Sequence, residues 1–248
     1  MKNPWVVIAV IVALLVGGSV WYSMQVSAKA NIGVVITPHT VGRADAPVKL
    51  VEYSDFQCPA CGQFQPIVEE ILAEYGDKIH FEYKHFPLTQ IHPFAQPAAI
   101  AAEAAGQQGK FFEYASLLFK NQATWSKSSA PSAFFTQYAT ELGLDIERFT
   151  KQQHSSLLKG YVMSQFNEAR GLGLTGTPSF YLNGEKLVIT TIEDFKAQIE
   201  RAIDPTVDFS LEGADAPLKV VPLSGDTDAS STVVTTPTPG VPAVQFGI

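Results

Sequence analysis

The chain has 248 residues, room for one large domain with appendages, and its 46% hydrophobic content is ample for a packed core, which excludes global disorder. A formal net charge of −7 offers no basic stripe to replace phosphate counterions, so nucleic acid is excluded as a partner. The two cysteines, Cys58 and Cys61, sit three positions apart, whereas a secreted disulfide scaffold spreads many along its chain; this pair is a local chemical device.

The first element is apolar. After Lys2, an uncharged stretch from Trp5 to Tyr22 is long enough as a helix, about 27 Å, to cross a hydrocarbon core of roughly 30 Å. Trp5 at one end and Trp21-Tyr22 at the other suit the two interfaces, and Lys2 favours leaving the N-terminus in the cytoplasm. Two readings of residues 1–30 stand: an uncleaved membrane anchor, favoured by length and flanks, or a signal peptide cut at the small-x-small run Ala28-Lys29-Ala30. Both place the rest of the chain outside the cytoplasm, and the anchor reading makes it a single-pass protein of the cell membrane.

Residues 31–45 read as a linker with Val34-Val35-Ile36 as a candidate short strand, and the main domain is expected over 46–204. The apolar, β-branched run Val48–Tyr53 predicts a strand. Phe64, Ile67, Val68, Ile71, Leu72 and Tyr75 follow helical spacing, with Pro59 in the first turn and Gly76 as a C-terminal cap; Pro66 predicts a kink. Ile79, Phe81 and Tyr83 alternate with polar residues, giving a second strand and hence a βαβ crossover.

From about 91 to 170 every apolar pattern is helical, beginning with the alanine-rich Pro97–Gly106 run, and Asp145 suits an N-cap. Strand signals return at Ser179–Leu182, Asn183-Gly184 predicts a tight hairpin, and Glu185–Ile189 forms the returning strand. Thr190 with Glu193 predicts a capping box for a helix with Ile192, Phe195, Ile199 and Ile203 on one face, stopped by Pro205. Residues 205–248, rich in Pro, Ser and Thr, are expected to be a disordered tail. The order βαβ, helical block, ββα predicts an α/β fold with the helices inserted as one cap.

The chemistry lies in Cys58-Pro59-Ala60-Cys61. A thiolate attacks a disulfide and a thiol does not, so a useful cysteine needs a depressed pKa. Cys58 stands where strand meets helix, and the unpaired N–H groups and positive end of the helix dipole there favour an anion. Cys61, one turn further in, is close enough to pair with it, which makes Cys58 the attacking thiol and Cys61 the resolving one. Two other readings of such a pair are half a zinc site and an inert disulfide. Zinc needs two more ligands, and the chain has no third cysteine and no paired spacing among His39, His80, His85, His92 and His154, so no metal site is expected. The histidines read as structural or surface groups, and Asp55 as a solvated loop carboxylate.

Three separated segments, Val51–Cys61, Lys84-His85-Phe86-Pro87-Leu88 and Gly176-Thr177-Pro178-Ser179-Phe180, resemble the DsbA-like thiol–disulfide oxidoreductases, a thioredoxin-fold family. The resemblance covers roughly 41–203, helical insertion included. It implies that Pro178 is a cis-proline facing the cysteines and that Thr177 offers backbone hydrogen bonds to an extended substrate. It also implies that Glu52, six residues before Cys58, is a buried acid relaying the proton of Cys61; the alternative reading is a strand residue pointing to solvent. The sequence departs from the strongly oxidising relatives at Ala60, where they often carry histidine.

The resemblance implies an oxidase acting on exported client proteins with free thiols, and a membrane redox partner that reoxidises the cysteines, with no cofactor of its own. Two alternatives stay open, a reductase or isomerase on the same scaffold and a non-catalytic binding module.

Overall fold

The computed structural model of the chain describes residues 4–206, so all but the first two residues of the tail read as disordered lie outside the described residues. Apolar side chains on every side give the first helix, α1 (Pro4–Ala30), no face to bury, and its aliphatic residues stand exposed along its length. Among the described residues it is the helix long and apolar enough to cross a membrane, with mean hydropathy 2.3 in its most apolar window.

The strand after it is not where the sequence suggested. Val34-Val35-Ile36 is not a strand; the edge strand β1 is His39–Val41, antiparallel to a later strand. The reason is local. Val35 N–H donates to Gln107 Oε1 and Val35 C=O accepts from Gln107 Nε2, both at 2.8 Å, so one side chain takes the two backbone groups that a ladder would need. Residues 31–45 are thus tied into the domain, which corrects the reading of them as a linker.

Strand β2 (Val48–Ser54), helix α2 (Pro59–Tyr75) and strand β3 (Ile79–His85) form the expected βαβ unit, with β2 and β3 parallel and Glu52 opposite Tyr83. Helix α2 runs through Pro66 as one element and ends at Gly76, whose added Cβ would meet the Leu72 carbonyl oxygen at 2.5 Å. The helical block follows: α3 (Ala95–Gly106), α4 (Phe111–Lys120), α5 (Gln122–Trp125), α6 (Pro131–Glu141), α7 (Ile146–Gln152) and α8 (Ser156–Gly171). The carboxylate of Asp145 and the hydroxyl of Ser155 accept from the N–H groups of Arg148 and Leu158, capping α7 and α8.

Strand β4 (Ser179–Leu182) pairs antiparallel with β2 and turns through Asn183 and Gly184, both at positive φ, into β5 (Glu185–Lys186). The returning strand is shorter than the Glu185–Ile189 run predicted. Helix α9 (Ile192–Ile203) is capped one residue later than expected: Thr191 Oγ1 accepts from Asp194 N–H, while Thr190 N–H and Oγ1–H both donate to the Asp194 carboxylate.

The sheet order is β1-β3-β2-β4-β5. One face, with Val48, Leu50, Phe81 and Phe180, packs against α2 and α9 in the main core. Tyr53 and Phe86 pack with Ala169 and Leu174 in a second cluster. Alanine at seven buried positions of α3 lets α4 and α8 approach closely, so its one carboxylate, Glu103, is buried as well. Glu103 Oε1 is satisfied by His39 Nε2 from β1 and His85 Nε2 from β3, each at 2.8 Å. The histidines read as structural groups lock the edge strand to the cap.

Candidate active site

Cys58 is the N-cap residue of α2, with extended backbone (φ −74°, ψ 120°), and Pro59 occupies the first helical turn where a missing N–H costs nothing. Its N–H donates to the Asp55 carbonyl at 3.0 Å and its carbonyl accepts the Gly62 N–H at 3.2 Å. Both cysteines are free thiols. Cys58 is 7% exposed and Cys61 not at all, so only Cys58 can meet another protein's sulfur. Facing it is the Thr177-Pro178 peptide, which is cis, and the Cys58 thiol donates to the Thr177 carbonyl oxygen at 3.3 Å.

The two thiols are driven apart in acidity. A hydrogen bond from the Cys61 thiol is the largest influence on Cys58 and lowers its pKa to about 5 against the penalty of burial. The Thr177 hydroxyl, buried and with no other partner among the described residues, lowers it further, as do the N–H groups of Cys61 and Ala60 at the helix start. Cys61 goes the other way: burial, the neighbouring Cys58 sulfur and the charge of Glu52 push it well above the ordinary thiol value.

Glu52 is 1% exposed, on the same face of β2 as Leu50, between Tyr83 on β3 and Phe180 on β4. The solvent-facing alternative is therefore wrong. Burial raises its pKa to about 7, with the Ser54 hydroxyl pulling the other way. Among the described residues Glu52 Oε2, Ser54 Oγ and Tyr83 Oη are buried with no hydrogen-bond partner, and Ser54, from its place on β2, pulls the pKa values of Cys61 and Tyr83 down against the burial that raises both. A polar cluster lies under the buried sulfur. Ser54 was missed in the sequence, although its spacing of two from Glu52 puts both on one strand face.

Asp55 is a correction. It is 2% exposed, not solvated, and its carboxylate accepts from Gln57 N–H at 2.7 Å, Leu88 N–H at 2.9 Å and His92 Nδ1 at 2.8 Å. It ties the loop before Cys58 to the segment after β3. Two glutamines, also missed, brace that loop further: Gln122 Nε2 donates to the Phe56 and Cys58 carbonyls, both at 2.8 Å, and Gln57 Oε1 accepts from Phe94 N–H at 2.7 Å. No sequence signal marks a glutamine that closes a hydrogen-bond ledger across sixty-odd residues.

Next to the cis-proline loop lies a cavity of about 390 Å³ lined by Leu88, Thr89, Gln90, Ile91, Phe166, Arg170 and Thr175. Among the described residues no group of three or more His, Cys, Asp or Glu side chains is arranged to hold a metal ion. The site is a pair of thiols of opposed acidity with an acid beneath them.

Comparison with known proteins agrees with this geometry. A thioredoxin family model matches residues 35–201. BdbD from Bacillus subtilis in its oxidised form superposes with a TM-score of 0.59 at 20% identity, over 70% of this chain and 94% of that one. A protein-disulfide isomerase from Novosphingobium aromaticivorans gives 0.58 at 20% identity, over 67% and 97%. The alpha-DsbA1 of Wolbachia pipientis gives 0.57 at 17%, over 71% and 96%. Sequence similarity also extends to proteins named Na(+)/H(+) antiporters: NhaA 3 of Salinispora tropica is 39% identical over 148 residues, 60% of this chain and 22% of that protein. NhaA 1 of Mycolicibacterium vanbaalenii is 40% identical over 150 residues, 59% and 23%. The chain spans under a quarter of the length of these two relatives, and ion transport is a property of proteins far longer than the shared segment.

Proposed function

The chain belongs to the thioredoxin family and has the fold of its DsbA-like members, and we propose that it is a thiol–disulfide oxidoreductase that donates the Cys58–Cys61 disulfide to exported client proteins, held at the membrane by α1. The opposed acidities of the two thiols carry this reading. When a client thiolate attacks Cys58 Sγ of the disulfide, the S–S bond breaks and its electron pair goes to the buried Cys61 sulfur. As a thiol of raised pKa, Cys61 is a poor leaving group and must take a proton; Glu52, half-protonated near neutral pH, is the donor beneath it. A second client thiolate then attacks its own sulfur in the mixed disulfide, closing the client's bond and expelling Cys58 as the thiolate that the site stabilises. The client is oxidised by two electrons and the enzyme reduced by two.

Thr177 and Pro178 supply the extended backbone beside which a client segment lies, and the neighbouring cavity takes its side chains. A membrane redox partner then removes the electrons. The favoured compartment is extracytoplasmic, on the periplasmic or extracellular face, because an apolar α1 precedes the domain.

The competing reading, a reductase, is favoured by Ala60, which offers Cys58 no side-chain donor. Equilibration with glutathione separates them. The oxidase reading expects a reduction potential above roughly −200 mV and rapid oxidation of a reduced peptide; a value at or below the roughly −270 mV of thioredoxin would replace it with the reductase.

A further inference from the structure

Helix α1 does not hand over to a slack tether. Its last residue, Ala30, is 1% exposed, packed against the catalytic domain. The next residue is already bonded to the start of α8: Asn31 Nδ2 donates to Ser156 Oγ at 2.9 Å, and Asn31 Oδ1 accepts from Ser155 Oγ at 2.7 Å. Four residues on, Gln107 takes both backbone groups of Val35. The domain itself sets the direction in which α1 leaves.

Around that exit the surface is apolar. Ile32, Val35, Ile36 and Leu157 are 71%, 63%, 40% and 46% exposed, and Leu157 adjoins Asn31, whose Oδ1 accepts its N–H at 3.4 Å. The rim is basic. Residues 26–36 and 146–160 carry Lys29, Arg148, Lys151 and Lys159 against Glu147 alone, in a chain of net charge −7. Scattered exposed aliphatics need no explanation, but a collar of them with a basic rim at the root of a membrane-length helix matches a headgroup layer containing anionic lipid. The length agrees as well: the 27 residues of α1 rise about 40 Å, close to the roughly 40–45 Å of a bilayer with its headgroups, so Ala30 emerges where the headgroups end.

We propose that the face formed by Ile32, Val35, Ile36 and Leu157 rests on the membrane surface and holds the catalytic domain in one orientation. The inference rests on the reading of α1 as a membrane span. Helix α8 then acts as a spacer. Its N-terminal end is fixed to Asn31, and its C-terminal end brings Phe166 and Arg170 to the cavity beside the cis-proline loop. That cavity lies within about one length of its 16 residues, ~24 Å, of the anchored end. Soluble clients meet it from the aqueous side, and a membrane partner must extend a segment toward it.

The test uses the full chain carrying Cys58→Ala and Cys61→Ala, with one fluorophore on Leu15→Cys, Leu157→Cys or Gln90→Cys, in vesicles of phosphatidylcholine and phosphatidylglycerol containing nitroxide lipids. The expected result is loss of Leu15 fluorescence to an acyl-chain nitroxide, loss of Leu157 fluorescence to a headgroup nitroxide, and no loss at Gln90. Adding Ile32→Asp and Val35→Asp should restore the Leu157 signal while Leu15 stays quenched. Quenching at Leu15 with Leu157 no more affected than Gln90 would leave the span intact and overturn the resting face. An unquenched Leu15 would remove the membrane span itself, and the proposal with it.

Discussion

Each of the two thiols owes its acidity to where it sits on one helix. Cys58, at the N-cap, collects N–H groups and the Cys61 hydrogen bond, and Cys61, one turn in, loses water on every side. The ultraviolet absorbance of the thiolate should titrate with a midpoint near 5 in the reduced protein, and Thr177→Val should raise that midpoint. Cys61→Ala should raise it more, since it removes the largest contribution. A midpoint near the ordinary thiol value would remove the basis of the proposed chemistry. Cys61→Ser should also trap clients as reducible adducts through Cys58, and an adduct through the other position in the reciprocal Cys58→Ser variant would reverse the roles. Glu52 makes a pH prediction of opposite sign. Its folded pKa of about 7 lies above the ordinary 4.5, so it favours the fold below 4.5 and weakens it as pH rises through 7. Glu52→Gln should therefore gain stability over the parent above pH 7, on the order of 3 kcal/mol, and gain none below pH 4. The same variant should slow release of Cys61 from the disulfide more than attack on Cys58. Equal rates in both steps would leave Glu52 a bystander.

At the scale of elements, the helical cap and the sheet meet through a few buried polar ties. Glu103 on α3 is one, shared by His39 of β1 and His85 of β3. Burial pushes its carboxyl up, yet the two imidazoles hold it below its ordinary value, while burial lowers His85. Glu103→Ala would strand both rings, and urea unfolding should show a loss of roughly 3 kcal/mol. Thr191→Ala, which removes the cap of α9, should cost about 1 kcal/mol, and Thr190→Ala less, since Thr190 only steadies Asp194. These elements also show what was legible in advance. The period-two alternation of Ile79, Phe81 and Tyr83 and the Asn183-Gly184 turn were readable because local spacing and backbone chirality determine them. The edge strand was not. Its place depends on Gln107 taking the backbone of Val35 from seventy-two residues away, and no window of sequence contains both.

For the whole molecule, redox state and pH are linked. The folded Cys58 pKa of about 5 lies below the unfolded value of about 8.5, so the thiolate stabilises the reduced fold fully above about 8.5 and ceases to do so as pH falls through 5. At pH 7 that contribution is on the order of 2–3 kcal/mol. Closing so short a loop as a disulfide contributes about 2 kcal/mol by chain entropy, nearly independent of pH. The stability of the reduced form relative to the oxidised form should therefore rise by about 2–3 kcal/mol between pH 4 and pH 7 in denaturant unfolding. A pH-independent difference would contradict the stabilised thiolate. Membrane attachment belongs to this scale too: the chain should stay in the pellet after alkaline carbonate washing, and external protease should reach the domain in spheroplasts. A soluble form beginning near Asn31 would replace the anchor with a cleaved signal peptide.

By itself the sequence determined the order of the elements, the span-length apolar start, and a cysteine at the first turn of a helix, because periodicity, chain length and helix polarity are local properties. Cis Thr177-Pro178 was reached through resemblance, since a proline states only that its cis form is accessible. Tertiary structure alone decided the burial of Glu52 and Asp55. A strand has two faces and the sequence does not say which one a helix will cover, so a solvent-facing Glu52 stayed open as an alternative to the buried acid until α2 was laid across it. Asp55 looked like a loop carboxylate because the N–H of Leu88 and the ring of His92, which desolvate and satisfy it, arrive from the far side of β3. Local sequence says which groups can be charged, and only packing says which of them lose their water.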